Sequence, residues 1–537
     1  MKTAYINGNV YLGNNRFAQA FIVENDKFIK TGLTSEIQKI SVDKTIDLKK
    51  QTVIPGLNDS HIHFRMLALN SQNLDLTKIF SLKDLISQCR VWIKNHKITP
   101  KKNLWAEGFD ETAFSDCKLY PTRKELDKIS EFVPIYLSRI DRHMIVCNTA
   151  ALKKMKVFIK NFQSQRGGIL ELGADGLPNG ILKEGACGYA RDEYLPPTLN
   201  EQLKIYQKTM KMLNSYGLTS VHCCDLTDEK IMEYWKVYEL ADKKNLITLK
   251  FYHQTWMSCP EKVDLFFDVY DQLKNSTQSE YNKIGHLKIF ADGSIGAGTA
   301  ALNQPYSDQK NNHGFLVYTN DKLDKVVKQA TQRKIPIVCH ALGDQAIAQI
   351  LKIYEKYDKS KKNPLRHGII HCLMTDDSLI KKIKNLNIVV YGQPCLYDNS
   401  MLFLKKRIGA KRFHDVLTFK RFLDSNIHLG FGTDAPVSDF NPWPNLYFAI
   451  SRIDLPAQPK SGTVLHEKIS LNQAIDAYTQ GSAYASYEEN VKGKIEMGFK
   501  ADFVVLNQNI FALKKLSDLK NTKAIKTYLN GKLVYKY

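Results

Sequence analysis

Hydrophobic positions in this chain follow two rhythms. Near both ends they come as short strand-like runs, at residues 4–6, 10–12, 20–23 and 27–31, and again at 502–506, 526–528 and 532–535. Alternation of this kind marks half-buried strands. Asn7-Gly8 between the first two runs predicts a hairpin turn, since both residues tolerate the positive φ that a two-residue turn needs. Between the ends, short apolar runs at 53–57, 218–222, 249–252, 287–290, 335–339, 368–370, 388–391 and 428–432 alternate with longer amphipathic stretches such as 200–213, 321–332 and 344–357. Eight strands alternating with helices predict an α/β fold, a (β/α)8 TIM barrel.

Such a barrel takes about 250 residues, and the middle of the chain is longer than that. The surplus lies between the first and second strands. The expected organisation is therefore a barrel over 54–487 with an inserted segment at about 75–200 after strand one. Residues 1–53 and 488–537 together form a small β-sandwich-like domain. No internal repeat or low-complexity linker interrupts this pattern.

Composition narrows the class. Of 537 residues, 43% are hydrophobic and 24% charged, values ordinary for a globular protein. No run approaches the roughly 18 apolar residues of a membrane span, and the first ten residues lack the apolar core of a signal peptide. The ten cysteines are scattered without a Cys-x-x-Cys pair, as expected of reduced thiols. These features place the chain in the cytoplasm. The net charge of +21 raises the question of nucleic acid, but it comes from lysines spread along the chain, whereas nucleic-acid readers concentrate arginine on one element.

Candidate chemistry begins at His61-Ile-His63. Residues two apart on an extended strand point the same way, so both imidazoles can reach one metal at the C-terminal mouth of a barrel. A lone His-x-His is often two exposed loop histidines. Here it is joined by Lys288, His340, His371 and Asp434, each at or near the end of a later strand. Packing alone would not arrange them in this order.

These residues sit in motifs that resemble the amidohydrolase superfamily, in its YtcJ-like (amidohydrolase 3) branch. The motifs are Val53-Ile-Pro-Gly-Leu-Asn-Asp-Ser-His-Ile-His63, Lys288-Ile-Phe-Ala-Asp-Gly-Ser-Ile-Gly296, Cys339-His-Ala-Leu-Gly-Asp344, Thr433-Asp-Ala-Pro-Val437 and the stretch from Gly493 to Leu506. The inserted segment is similar too, in Gly108-Phe-Asp110, Asn148-Thr-Ala-Ala-Leu152 and Gly180-Ile-Leu-Lys-Glu184.

The resemblance implies that His61, His63 and Asp434 bind one metal. A carboxylated Lys288 would bridge to a second metal held by His340 and His371, with one ion, or a bridge from Glu184, as the alternative. The cofactor expected is a divalent metal, zinc, as one or two ions per chain. Asp434 is expected to act as general base and then general acid in hydrolysis of an amide, formamide or cyclic amide C–N bond, the water being activated by the metal. His143, Glu184, Asp344 and Gln393 are candidates for substrate contact. His222 and His253 either line the pocket or are satisfied core histidines, and the other histidines are structural.

The chain departs from the branch at Gly298, where an arginine is common, at Ile370, where a glutamate is common, and at Arg142, where a glycine is common. The alternatives are a mononuclear deaminase and a catalytically silent regulatory or binding member. The expected partner is a small-molecule substrate, with no specific nucleic acid and no membrane; a homodimer stays open.

Overall fold

The computed structural model describes residues 1–140, 144–164, 168–194, 196–276, 279–397, 401–453 and 464–537. The chain divides into two units, one made of Met1–Leu67 with Tyr206–Tyr537 and the other of Ala68–Ile205. Among the described residues no helix is long and apolar enough to cross a membrane, and no cysteine forms a disulfide.

The larger unit contains an eight-stranded, all-parallel sheet curled as a TIM-like barrel. Its strands follow chain order: Leu57–Ile62, Leu218–Cys223, Lys250–Trp256, Asn282–Phe290, Ile337–Ala341, Gly368–His371, Val389–Gly392 and Leu429–Phe431. Helices follow the strands and shield the sheet with apolar stripes. In Asn320–Gln332 the buried residues Leu323, Val326, Val327 and Ala330 fall at i, i+3, i+4 and i+7, one helical face. Thr319 caps that helix by accepting from the Lys322 N–H.

The first and last strands meet through the segments just beyond them. The Asp434 N–H donates to His61 O at 2.8 Å, and the His63 N–H donates to Ala435 O at 2.8 Å. Gly432 makes this approach possible, because a Cβ there would lie 2.6 Å from His61 N.

The first barrel strand is Leu57–Ile62, not 53–57. Residues Thr52–Pro55 belong instead to a sheet built from both chain ends, ordered Lys532–Lys536, Ala524–Leu529, Phe503–Leu506, Thr52–Pro55, Asn9–Gly13 and Arg16–Ala18. The apolar residues of Val53-Ile54 drew the expectation, while the polar run Asn58-Asp59-Ser60 disguised the real strand, all of whose side chains are buried.

A second, four-stranded sheet runs Lys27–Gly32, Ala20–Glu24, Lys2–Ile6, Lys44–Asp47. Tyr5, Phe21 and Phe28 from it pack with Val53, Phe503 and Tyr528 from the six-stranded sheet in one core. Stacked and edge-on ring pairs fill that core, among them Tyr5–Phe21 at 4.8 Å and Phe503–Tyr528 at 4.3 Å between centroids.

Asn7-Gly8 is not a hairpin turn. The strands it joins pair with other partners in different sheets, so the positive φ of Asn7 (56°) serves a crossing between layers. The Asn530-Gly531 pair does close a hairpin, with Leu529 opposite Lys532.

The smaller unit has its own six-stranded mixed sheet, ordered Ile169–Leu172, Pro178–Lys183, Met144–Cys147, Ile135–Arg139, Leu104–Phe109 and Leu74–Asp75. Its strands are apolar on both faces. Ile135 and Leu137 enter one core with Leu85 and Cys89 of helix Leu82–Asn95, while Tyr136 enters the other with Ile145, Leu152 and Cys187. Period-two alternation feeding two cores is what a sheet covered on both sides requires.

Candidate metal centre

Barrel strands end in loops at one face, and side chains from several strands converge there. His61 is the penultimate residue of its strand and His63 directly follows it; Asp434 lies three residues beyond Phe431. Their ligand atoms all lie within 4.8 Å of one another. Asp434 Oδ1 is 3.3 Å from His61 Nε2 and 3.4 Å from His63 Nε2.

That oxygen is buried and makes no hydrogen bond of acceptable geometry among the described residues. A buried carboxylate oxygen without a donor is costly. The spacing fits a shared cation: bonds of about 2.1 Å in a tetrahedral arrangement separate neighbouring ligand atoms by about 3.4 Å. Two imidazoles and a carboxylate also form a donor set suited to a borderline divalent ion.

Beside this trio stand the other strand-end residues. The ring of His371 is 6.0 Å from His61 and 4.6 Å from His340 between centroids. Lys288 is buried, with its ammonium 4.9 Å from the Phe290 ring centre. Both His371 (φ 70°) and Asp434 (φ 59°) hold left-handed backbone conformations. For non-glycine residues such conformations cost roughly 1–3 kcal/mol each and cluster at functional sites.

Electrostatics follow from burial. Desolvation, helped by the Lys288 charge, lowers His61 to about 4 and His340 to about 3, and desolvation with the neighbouring His340 holds His371 well below the usual value. These three imidazoles are therefore neutral at pH 7, the form that offers a lone pair. Burial alone would raise Asp434, but its contacts with the His61 and His63 side chains outweigh this and set it well below its ordinary value. Burial pushes Lys288 down, towards the uncharged amine.

Each histidine also has its far nitrogen engaged. His61 Nδ1 lies 2.8 Å from Gln254 Oε1, His63 Nδ1 3.0 Å from Cys224 O, and His371 Nδ1 2.8 Å from Gln393 Oε1. His340 turns its Nε2 to Gly293 O at 3.1 Å. Asp292, after the fourth strand, accepts from the N–H groups of Ala301, Leu342 and Gly343 and so ties together the loops around His340.

Asp344 accepts from the backbone and side-chain amides of Asn303, tethering a loop. Glu184 lies in the smaller unit, exposed, at the start of the short turn Glu184–Ala186. His143 lies outside the described residues. His253 is a satisfied core histidine, its nitrogens engaged by Cys223 Sγ at 3.1 Å and Asn282 Oδ1 at 3.3 Å. His222 is wholly buried between the Tyr252 and Tyr391 rings, and neither ring nitrogen has a hydrogen-bond partner among the described residues.

Sequence reasoning missed Gln254, Asp292 and Asp59. A polar residue at the end of an apolar barrel strand was the available signal for Gln254, and an aspartate two positions before His61 was the signal for Asp59.

The fold agrees with the comparisons. Residues 44–535 match the model of the Amidohydrolase family, whose members are hydrolases, and the chain belongs to that family. It is 28% identical over its whole length to the putative amidohydrolase YtcJ of Bacillus subtilis, covering 99% of that protein. It is 22% identical to the N-substituted formamide deformylase of Arthrobacter pascens, covering 99% of this chain and 97% of that one. In fold it is similar to an uncharacterized metal-dependent hydrolase of Pyrococcus horikoshii, with a TM-score of 0.77 and 24% identity over 96% of this chain and 99% of the other.

Proposed function

We propose that this protein hydrolyses a C–N bond in an amide, formamide or cyclic amide, using a divalent cation, zinc, at the His61–His63–Asp434 centre. The observation that carries the reading is the buried Asp434 Oδ1, which faces two imidazole nitrogens at 3.3 and 3.4 Å and has no hydrogen-bond partner among the described residues. The whole-length similarity to a formamide deformylase supports N-formyl amines as the first substrates to try.

A cation bound there would acidify water, to a pKa of about 7 in favourable sites, and polarise the substrate carbonyl. His61 and His63 would hold it through their ring nitrogens, with Asp434 Oδ1 completing the set. The second Asp434 oxygen is left to take a proton from the attacking water and to deliver it to the departing nitrogen. An amide nitrogen must be protonated to leave, so a carboxylate at that point performs both transfers.

Lys288 is proposed to carry a carbamate. Its buried amine is biased to the uncharged form, which adds carbon dioxide and releases one proton. The carbamate would then face His340 and His371 and let them hold a second ion. The test is metal content and turnover of the purified protein on N-formyl amines, N-acyl amines and cyclic amides. Asp434→Asn should abolish turnover, and full activity in that variant would refute the acid–base role.

One observation favours a second reading, a mononuclear deaminase. Among the described residues only His61, His63 and Asp434 bring three ligand atoms within 4.8 Å of one another. One ion per chain, an unmodified Lys288 and ammonia released from an amino-substituted ring would select it.

A further inference from the structure

The histidines facing the centre are held from behind by an unequal pair of glutamines. Gln254, on the third barrel strand, is wholly buried. Its Oε1 meets His61 Nδ1 at 2.8 Å, and its amide nitrogen donates to Ser60 O at 3.3 Å. The second contact settles which way the carboxamide faces, because only the NH2 end can satisfy a carbonyl oxygen. Oε1 must then point at the ring, and an oxygen there can only accept. Gln393 makes the same contact with His371 Nδ1 at 2.8 Å, but its buried amide nitrogen has no hydrogen-bond partner among the described residues.

We infer that Gln254 is a positioning residue that locks His61 in the tautomer protonated on Nδ1, so that its Nε2 lone pair is presented beside Asp434 before any cation arrives. Without this acceptor, the ring proton would move to Nε2, where the Asp434 carboxylate 3.3 Å away attracts it. The imidazole would then turn a proton, not a lone pair, towards the centre. Gln254 thus decides a competition between two acceptors on opposite sides of one ring.

A glutamine does this without charge. Its carbonyl fixes the tautomer yet leaves the imidazole less basic than a carboxylate partner would. Gln393 plays the same part for His371 with a weaker hold, since nothing in the described residues fixes its amide orientation. The inference rests on the proposed metal reading, because it gives Nε2 of His61 to the cation.

Zinc affinity of the full chain, measured by competition with a chromogenic chelator at pH 7, tests it without any substrate. Gln254→Met, close in volume but unable to accept, should bind zinc tenfold to a hundredfold more weakly, the usual cost of losing such a partner. Gln254→Glu restores the acceptor and should bind at least as tightly as the wild type. Gln254→Asn, one methylene short, should fall with Met, and stands in if the Met variant does not fold. Wild-type affinity in Met and Asn, with binding lost in His61→Asn, overturns the glutamine's role alone. Wild-type affinity in His61→Asn overturns both this role and the metal reading beneath it.

Discussion

Asp59 accepts hydrogen bonds from both the backbone N–H and the hydroxyl of Thr433, at 3.1 and 2.6 Å, across 374 residues of sequence. Its other oxygen accepts from the His61 N–H at 3.0 Å. One buried carboxylate therefore pins the segment that carries His61 to the segment that carries Asp434. It joins the two ends of the barrel sheet at the point where the centre forms.

Removing that pin should destabilise the larger unit and disturb the centre together. Asp59→Ala strands a hydroxyl and two N–H groups in the interior, at about 1–3 kcal/mol for each group left unsatisfied. Thr433→Val removes only the hydroxyl donor and should cost about 0.5–1.5 kcal/mol, as for an ordinary hydrogen bond, because burial lifts the Asp59 carboxyl to about 7. Denaturant midpoints with an unchanged slope would measure both.

The close packing at Gly432 gives a sharper outcome. An alanine there meets His61 N at 2.6 Å and Asp59 Oδ1 at 2.7 Å, so the two segments must separate. Gly432→Ala should lose metal binding even if a folded protein is recovered, whereas Gly498→Ala, with open space around it, should keep it. Metal content after dialysis tells the two apart.

Beneath the centre, Glu488 bridges Lys283 at 2.7 Å and Lys492 at 2.5 Å. Burial alone would raise its carboxyl, but the two ammonium groups hold it far below the ordinary range. Because the folded value is depressed, this stabilisation is complete above the unfolded value of about 4.3 and fades as pH falls through the folded value. Glu488→Gln should therefore be less stable than the wild type at pH 6–7, by about 3–5 kcal/mol if Lys492 is left buried and uncompensated. The gap should narrow below pH 4. Thermal unfolding at stepped pH checks the direction and the window.

Chelation offers a test of linkage between metal and fold. A ligand present at 100 times its dissociation constant stabilises the state that binds it by about 2.7 kcal/mol. Stripping metal from the wild type should lower its unfolding temperature, and zinc should restore it. In His61→Asn or Asp434→Asn the chelator should have little further effect. Scanning calorimetry with and without chelator makes the comparison.

Much of the barrel was legible because its helices and inner strands obey simple periods. The helix Asp344–Tyr357 begins and ends where the amphipathic pattern does, and strand Gly368–His371 stands out as an apolar run before a histidine. The first strand was misplaced because Asn58, Asp59 and Ser60 are polar yet fully inside. Asp59 is buried there for the partner it meets in Thr433, and hydropathy cannot report a partner so distant in sequence. The convergence of His61, His63 and Asp434 could be anticipated from their positions at strand ends. Gln254 was signalled only as a polar residue on an apolar strand, and its partner could not be read, since that is an imidazole 193 residues away.

The sheet that contains Thr52–Pro55 carries a consequence for biosynthesis. This strand is made long before its antiparallel neighbour Phe503–Leu506. Until residues 503–506 are made, the early strand keeps one edge unpaired, and an unpaired edge is a template for pairing with another chain. The β layer therefore closes late, and a chain that stops before residue 503 cannot close it.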